Sequence, residues 1–157
     1  MPIRYWLFKS EPSSYSLDDL IRDGVAEWDG VRNYQARNSL RDDVKTSDGV
    51  LFYHSSTDPI AVVGTATVVR GGYPDHTAWD PRSKHPDPKS SLENPIWYMV
   101  DLRAAERFRT PVTMDALRAN AAVSDMLVLR RGMRLSIQPV TPPQWKAVRA
   151  MGRPVAV

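Results

Sequence analysis

The sequence predicts an α+β fold: a mixed, strongly curved β-sheet or small barrel with helices packed outside it. Strand-like and helical runs follow one another as strand, helix, helix, several strands, small helix, strand and helix, which lacks the regular alternation of a doubly wound parallel sheet. The strand runs are short, aromatic or β-branched, and bounded by Pro, Gly, Asp and Ser. At 157 residues the chain can hold one core and bury roughly two-thirds of its unfolded surface. A single domain over residues 1–157 is expected.

Each element has a local cause. YWLF at 5–8 reads as a buried strand that leaves the sheet at Pro12, because a proline disfavours helix before it and cannot donate to a ladder. Ser16 caps a short helix with acids in its first turn and Gly24 as its stop. Residues 25–28 form a brief extended piece. From Asn33 the pattern turns helical, with Ala36 and Leu40 on one face, until a turn at 46–49. Residues 50–55 and 60–70 are β-branched runs split by Thr57-Asp58-Pro59, a hairpin signal. Residues 71–95 hold five of the 13 prolines and show no period, so a long functional loop is expected there. A strand at 96–102, a small helix entered through Thr113 and a strand at 133–140 follow. Thr141-Pro142-Pro143-Gln144 opens the last helix, with Gly152 placed past its end.

Composition removes several classes of function. The absence of cysteine excludes disulfides, thiolate catalysis and Cys-based metal sites. The short apolar start suggests no export signal and no run is long enough to span a membrane, so a cytoplasmic protein is expected. His54, His76 and His85 match no ligand spacing, and neither a metal nor a cofactor is expected. No phosphate loop, dinucleotide fingerprint or nucleophile elbow is present. Charge is uneven: residues 103–157 carry ten Lys and Arg against three acids, while residues 1–102 carry 11 against 15. Sixteen of the 21 cations are arginine, whose planar fork suits phosphates and stacked bases.

Trp6 and Phe8 belong to the first strand's core-facing run. Trp28 and Trp79 instead sit in polar, aperiodic settings where an indole is easier to explain as a ligand wall than as packing. The stretch WDGVRNYQARN at 28–38 combines rings, arginines and carboxamides. Those groups supply what base recognition needs: stacking, paired donors and acceptors on an edge, and backbone cations.

In order and spacing, YWLFKSEP at 5–12, WDGVRNYQARN at 28–38, FYHSS at 52–56, VVGTATVV at 62–69 and PIWYMVDL at 95–102 resemble the EVE domain family. That family belongs to the PUA-like superfamily and is similar to YTH domains, which hold a methylated base in an aromatic cage. The resemblance implies a PUA-like barrel and a pocket fed by Lys9 and Ser10, by Trp28, Asn33 and Tyr34, and by His54 and Ser55. Trp79 or Tyr73 would supply the second wall.

The expected function is a non-catalytic reader that clamps one modified base of RNA or DNA. Arg32, Arg37, Arg130, Arg131 and Arg134 would contact the nucleic-acid backbone, the loop 71–95 would close as a lid, and the protein would act as a monomer. Two rivals stand beside it: an enzyme acting on a modified nucleoside with Glu11 or His54 as general base, and a protein-interaction module with a vestigial pocket.

Overall fold

The computed structural model describes residues 2–157. In chain order its elements are β1 (Tyr5–Ser10), α1 (Leu17–Asp23), β2 (Val25–Glu27), α2 (Tyr34–Asn38), β3 (Gly49–His54), β4 (Ala61–Pro74), β5 (Tyr98–Thr113), α3 (Met114–Ala119), β6 (Ile137–Val140), α4 (Pro142–Gly152) and β7 (Pro154–Ala156). The α+β class holds. All seven strands join one sheet in the order β2-β5-β4-β3-β1-β6, with β7 added on β5.

The expected barrel is not closed. β2 and β6 end the path without pairing to each other, because β5 already uses its edge twice: Arg103 to Asp101 face β2, and Glu106 to Phe108 face β7. Bending comes instead from four register shifts along the β4–β5 ladder, each of which kinks the strand pair and adds twist.

β1 and β3 are parallel, with Trp6 opposite Val50, Phe8 opposite Phe52 and Ser10 opposite His54. Side chains alternate across a strand, so this pair divides its residues between two cores. Trp6, Phe8, Val50 and Phe52 pack with Leu17 and Leu20 of α1 and with Ala36 of α2. Leu7, Leu51 and Tyr53 pack on the other face with Leu117 of α3 and Val148 of α4. Helices on both faces explain why YWLF is an unbroken apolar run rather than an alternating one.

The helix starts follow the sequence. Ser16 with Asp19 and Thr141 with Gln144 form reciprocal capping boxes, while Asn33 and Thr113 cap α2 and α3; each cap stabilises by about 1 kcal/mol. α2 continues from Ser39 to Asp43 as a π-helical turn in which the Val44 N–H reaches the Ser39 carbonyl.

Some expected boundaries shift. β4 continues to Pro74 and β5 to Thr113, so the start of the irregular segment and the stretch after Leu102 are strand. The last of the expected strands begins at Ile137, and β7 was not anticipated. Gly152 lies inside α4 rather than past its end, where a Cβ would overlap the Phe108 ring, and Arg153 takes the left-handed exit position at φ 55°.

Candidate functional site

The C-terminal ends of the parallel strands bring Ser10 and His54 side by side. The Ser10 hydroxyl donates to the Tyr15 carbonyl, and its own carbonyl accepts from the Ser55 N–H at 2.9 Å. His54 Nε2 accepts from the backbone N–H of Leu17, the first residue of α1, at 3.1 Å. That bond requires a lone pair on Nε2, so the imidazole is neutral and its proton sits on Nδ1. Burial lowers the His54 pKa in the same sense. The orientation matters for the rival enzyme reading, since the lone pair a general base would need is occupied. Glu11 is engaged more loosely, accepting from Ser56 Oγ at 3.4 Å.

Trp28 follows directly on β2, and its N–H donates to the Val100 carbonyl at 2.7 Å. The half-buried indole packs against the core that holds Trp6, Phe8 and Phe52. Phe8 lies 5.8 Å away at a tilt of 49°, Phe52 lies 5.5 Å away edge-on, and Tyr15 is edge-on at 6.1 Å. None of the three stacks parallel on it. The ring is therefore held by tilted and edge-to-face contacts, with no parallel-stacked partner among these rings.

A buried carboxylate sets the turn behind Trp28. Asp75, with 0% exposure, accepts from the Gly30 N–H at 2.9 Å, from Arg32 at 3.0 Å and from the Thr77 N–H at 2.9 Å. Burial alone would raise the Asp75 pKa, but the bonds from Thr77, Gly30 and Arg32 outweigh it and hold the carboxyl below its usual range. Gly30 has φ 79°, and a Cβ there would come within 2.8 Å of the His85 ring. Glycine meets both demands.

Other expected site residues are placed differently. The Asn33 side-chain oxygen Oδ1 accepts from the Ala36 N–H at 3.0 Å, so it caps α2, leaving its NH2 as the group available to a ligand. Tyr34 does not meet Trp28; it points outward and stacks on Trp97 at 4.9 Å and 29°. Arg32 is engaged by Asp75 and by the His85 carbonyl at 2.7 Å, and Arg37 donates to the Ile96 carbonyl at 2.6 Å. Both arginines brace the fold through these bonds, Arg32 on an acid and Arg37 on a neutral carbonyl.

Neither proposed second wall is brought against Trp28. Tyr73 lies on β4 with its hydroxyl bonded to Asp101 and Glu27 and with the Arg70 guanidinium 3.5 Å from its ring centroid. Burial, and then the bond to Asp101, raises its pKa far above the ordinary value. Trp79 ends a short 3-10 turn at His76–Trp79, half-buried, and makes no ring–ring contact among the described residues. The rest of the irregular segment is cross-braced: the Asp87 N–H meets the Ala78 carbonyl at 2.6 Å, and buried Ser90 accepts from the Ile96 N–H at 2.9 Å.

Lys9 points its ammonium at the Met133 carbonyl, 3.2 Å away, and burial lowers its pKa. The Lys9 N–H also meets the Ser136 carbonyl at 2.9 Å. These bonds tie the 130–136 turn to the end of β1. Exposed Arg130, Arg131 and Arg134 are thereby carried to the same end of the sheet as Ser10. Not all of the basic third is available: Arg149 forms a two-pronged pair with Glu106, and Arg107 pairs with Asp18. Clefts of about 230 Å³ beside Trp145 and Arg149 and about 410 Å³ beside Asp125 and Gln144 lie elsewhere, and neither is lined by Trp28.

The sequence model of the EVE domain matches residues 4–151. The chain belongs to the EVE domain family. This EVE domain is 37% identical to mouse thymocyte nuclear protein 1 over 155 residues, covering 87% of the chain and 68% of that protein. Its structure resembles a hypothetical protein from Leishmania major with a TM-score of 0.90 at 41% identity, over 97% and 96% of the two chains. It also resembles the human THYN1 protein, solved in complex with 5-methylcytosine-containing DNA, with a TM-score of 0.87 at 33% identity over 95% and 97% of the chains.

The expected cytoplasmic location is overturned by the mouse and human relatives, which are named thymocyte nuclear protein 1. A cysteine-free composition does not separate the two compartments, because both are reducing.

Three residues that the structure brings to this candidate site were missed in the sequence. Tyr15 lies just before the Ser16 cap, the position at which an apolar side chain closes a helix start, and that was its available signal. Asp75 and Trp97 had none, since their partners Gly30, Arg32 and Tyr34 are 43 to 63 residues away.

Proposed function

We propose that this EVE domain is a non-catalytic reader of DNA that stacks one methylated base on Trp28. The observation that carries the reading is the half-buried Trp28 indole, packed in tilted and edge-to-face contact with Phe8, Phe52 and Tyr15 with none of them stacked parallel on it, and with polar groups at the ends of β1 and β3, the strands that carry Phe8 and Phe52. Its close similarity to the human protein solved with 5-methylcytosine DNA supports the same ligand class.

In this reading, Ser10, Ser55, the Nδ1–H of His54 and the free NH2 of Asn33 read the base edge. Trp79 approaches as the second wall when a base is present. Lys9 with Arg130, Arg131 and Arg134 attract the phosphates. Burying one methyl group contributes on the order of 1 kcal/mol and base stacking roughly 1–3 kcal/mol. The engaged lone pair of His54 disfavours the nucleoside-enzyme alternative.

The test is equilibrium binding of two duplexes that differ in one 5-methylcytosine, with the nucleosides analysed afterwards for conversion. Tighter binding of the methylated duplex with its base unchanged is expected. Equal affinities, or a chemically altered base, would overturn the proposal.

A further inference from the structure

Tyr34 of α2 and Trp97, just before β5, form an aromatic stack that a single base on Trp28 leaves unused. Its outer rung is Tyr34, 61% exposed. Its inner rung is Trp97, 5% exposed, whose indole N–H donates to Asp87 at 2.7 Å. The Arg32 guanidinium lies 5.5 Å from the Trp97 ring and is itself fastened to buried Asp75 and to the His85 carbonyl. Arg37 stands 5.1 Å from the Tyr34 ring, and its hydrogen-bond partners, Asn38 Oδ1 and the Ile96 carbonyl, are both neutral. Its charge is not cancelled by a bonded acid.

A tyrosine that merely closed loop 96–97 onto α2 would be better served by burial. Here the lower ring is buried and anchored while the upper ring is held out in solvent beside an arginine. Such a ring loses little freedom when a flat partner stacks on it, which lowers the entropic cost of binding. Aromatic surface beside a cation is also the combination that holds successive unpaired bases without reading their sequence.

We propose that Tyr34, flanked by Arg37, is a second stacking platform for the base of a nucleotide near the one held on Trp28, in the same DNA strand. The inference rests on the reading of Trp28 as the base platform and extends the ligand from one base to a short segment of strand. Tyr34 follows Trp28 by six residues, a separation of at most roughly 20 Å even for extended chain. The two platforms therefore lie within a few nucleotides of each other.

The experiment compares the wild type, Tyr34→Ala, Tyr34→Phe and Trp28→Ala. The probes are a 5-methylcytosine mononucleotide, methylated and unmethylated strands, and methylated strands in which each flanking nucleotide in turn is made abasic. Tyr34→Ala is expected to weaken strand binding about tenfold, leave mononucleotide binding unchanged and be rescued by Tyr34→Phe. With the abasic site at one flanking position, Tyr34→Ala should cost nothing further.

An undiminished loss at every abasic position, an equal loss for the mononucleotide, or no loss on the strand would overturn the platform. Failure of the Trp28 reading appears separately, as equal wild-type affinity for methylated and unmethylated strands. The Tyr34 comparison is then read on the unmethylated strand, and a protein that binds no strand at all overturns the platform as well.

Discussion

Replacing Trp28 with alanine separates its two roles by magnitude. A tryptophan fully inside a protein buries about 150–250 Å². Trp28 is half-buried, so at about 25 cal/mol per Å² its removal should lower stability by roughly 2–3 kcal/mol. The packing on Phe8, Phe52 and Tyr15 makes this cost unavoidable. For a domain of this size each kcal/mol moves Tm by about 2–4 °C, giving an expected fall of roughly 4–12 °C. On the binding side, losing one stacked base is worth about 1–3 kcal/mol, or about 5- to 150-fold in Kd.

The assay is fluorescence anisotropy with a labelled duplex carrying one 5-methylcytosine, run well below the variant's Tm so that only folded protein is compared. Trp28→Phe keeps a ring on the same edges and should recover much of both quantities. An unchanged Kd for Trp28→Ala in folded protein, alongside the lower Tm, would refute the reasoning: Trp28 would then be a core-edge plug and the base would sit elsewhere.

Neutralising Arg130, Arg131 and Arg134 together should weaken methylated and unmethylated DNA alike and reduce the slope of log K against log salt by up to about three units; an unchanged slope in a salt titration relegates these arginines to a solvated face. Asp75→Ala strands Arg32 and the Gly30 and Thr77 donors, and should cost about 3 kcal/mol in urea unfolding. Stability should also decline as pH falls below about 6.5, the ordinary histidine value: the unfolded chain protonates His54 there, whereas the folded site resists until its own lowered pKa is passed. Urea unfolding across pH 5–8 should show that decline in the wild type and a flatter profile in His54→Asn. His76 acts in the opposite sense, because its bond to Glu27 raises its pKa; its stabilisation is complete below about 6.5 and is lost as pH rises through the higher folded value.

The features most legible in the sequence were those decided locally. Capping boxes at Ser16 and Thr141 depend on side chains three residues apart, and both formed. The run YWLF read as a buried strand, and Trp6, Leu7 and Phe8 are indeed among the least exposed residues. Barrel closure is a different kind of quantity. It depends on which strands share an edge, and the three-residue strands β2 and β7, both claiming β5, carry too little pattern to reveal that. The extension of β5 to Thr113 was hidden for a related reason. ERFRT at 106–110 alternates Phe108 with charged residues that are partly paired, through Glu106 with Arg149 and Arg107 with Asp18.

The site shows the same division. Ser10 and His54 meet because parallel pairing places the ends of two legible strands together. Asn33 illustrates the limit: the carboxamide that could read a base edge is also among the best N-cap residues, and only the bond to Ala36 shows which use its oxygen has. Arg32 and Asp75 illustrate another, since a buried ion pair across 43 residues leaves no periodicity behind.

That ion pair links the two proposed platforms. Asp75 fixes the Gly30 turn that presents Trp28, and through Arg32 it steadies Trp97 beneath Tyr34. A change at Asp75 should therefore weaken single-base and strand binding together, whereas a change at Tyr34 touches only the strand. Rigid support that costs no reorganisation at the moment of binding lets a surface hold a base more firmly. The aromatic residues make the contact in this account, and one buried carboxylate keeps both of them in place.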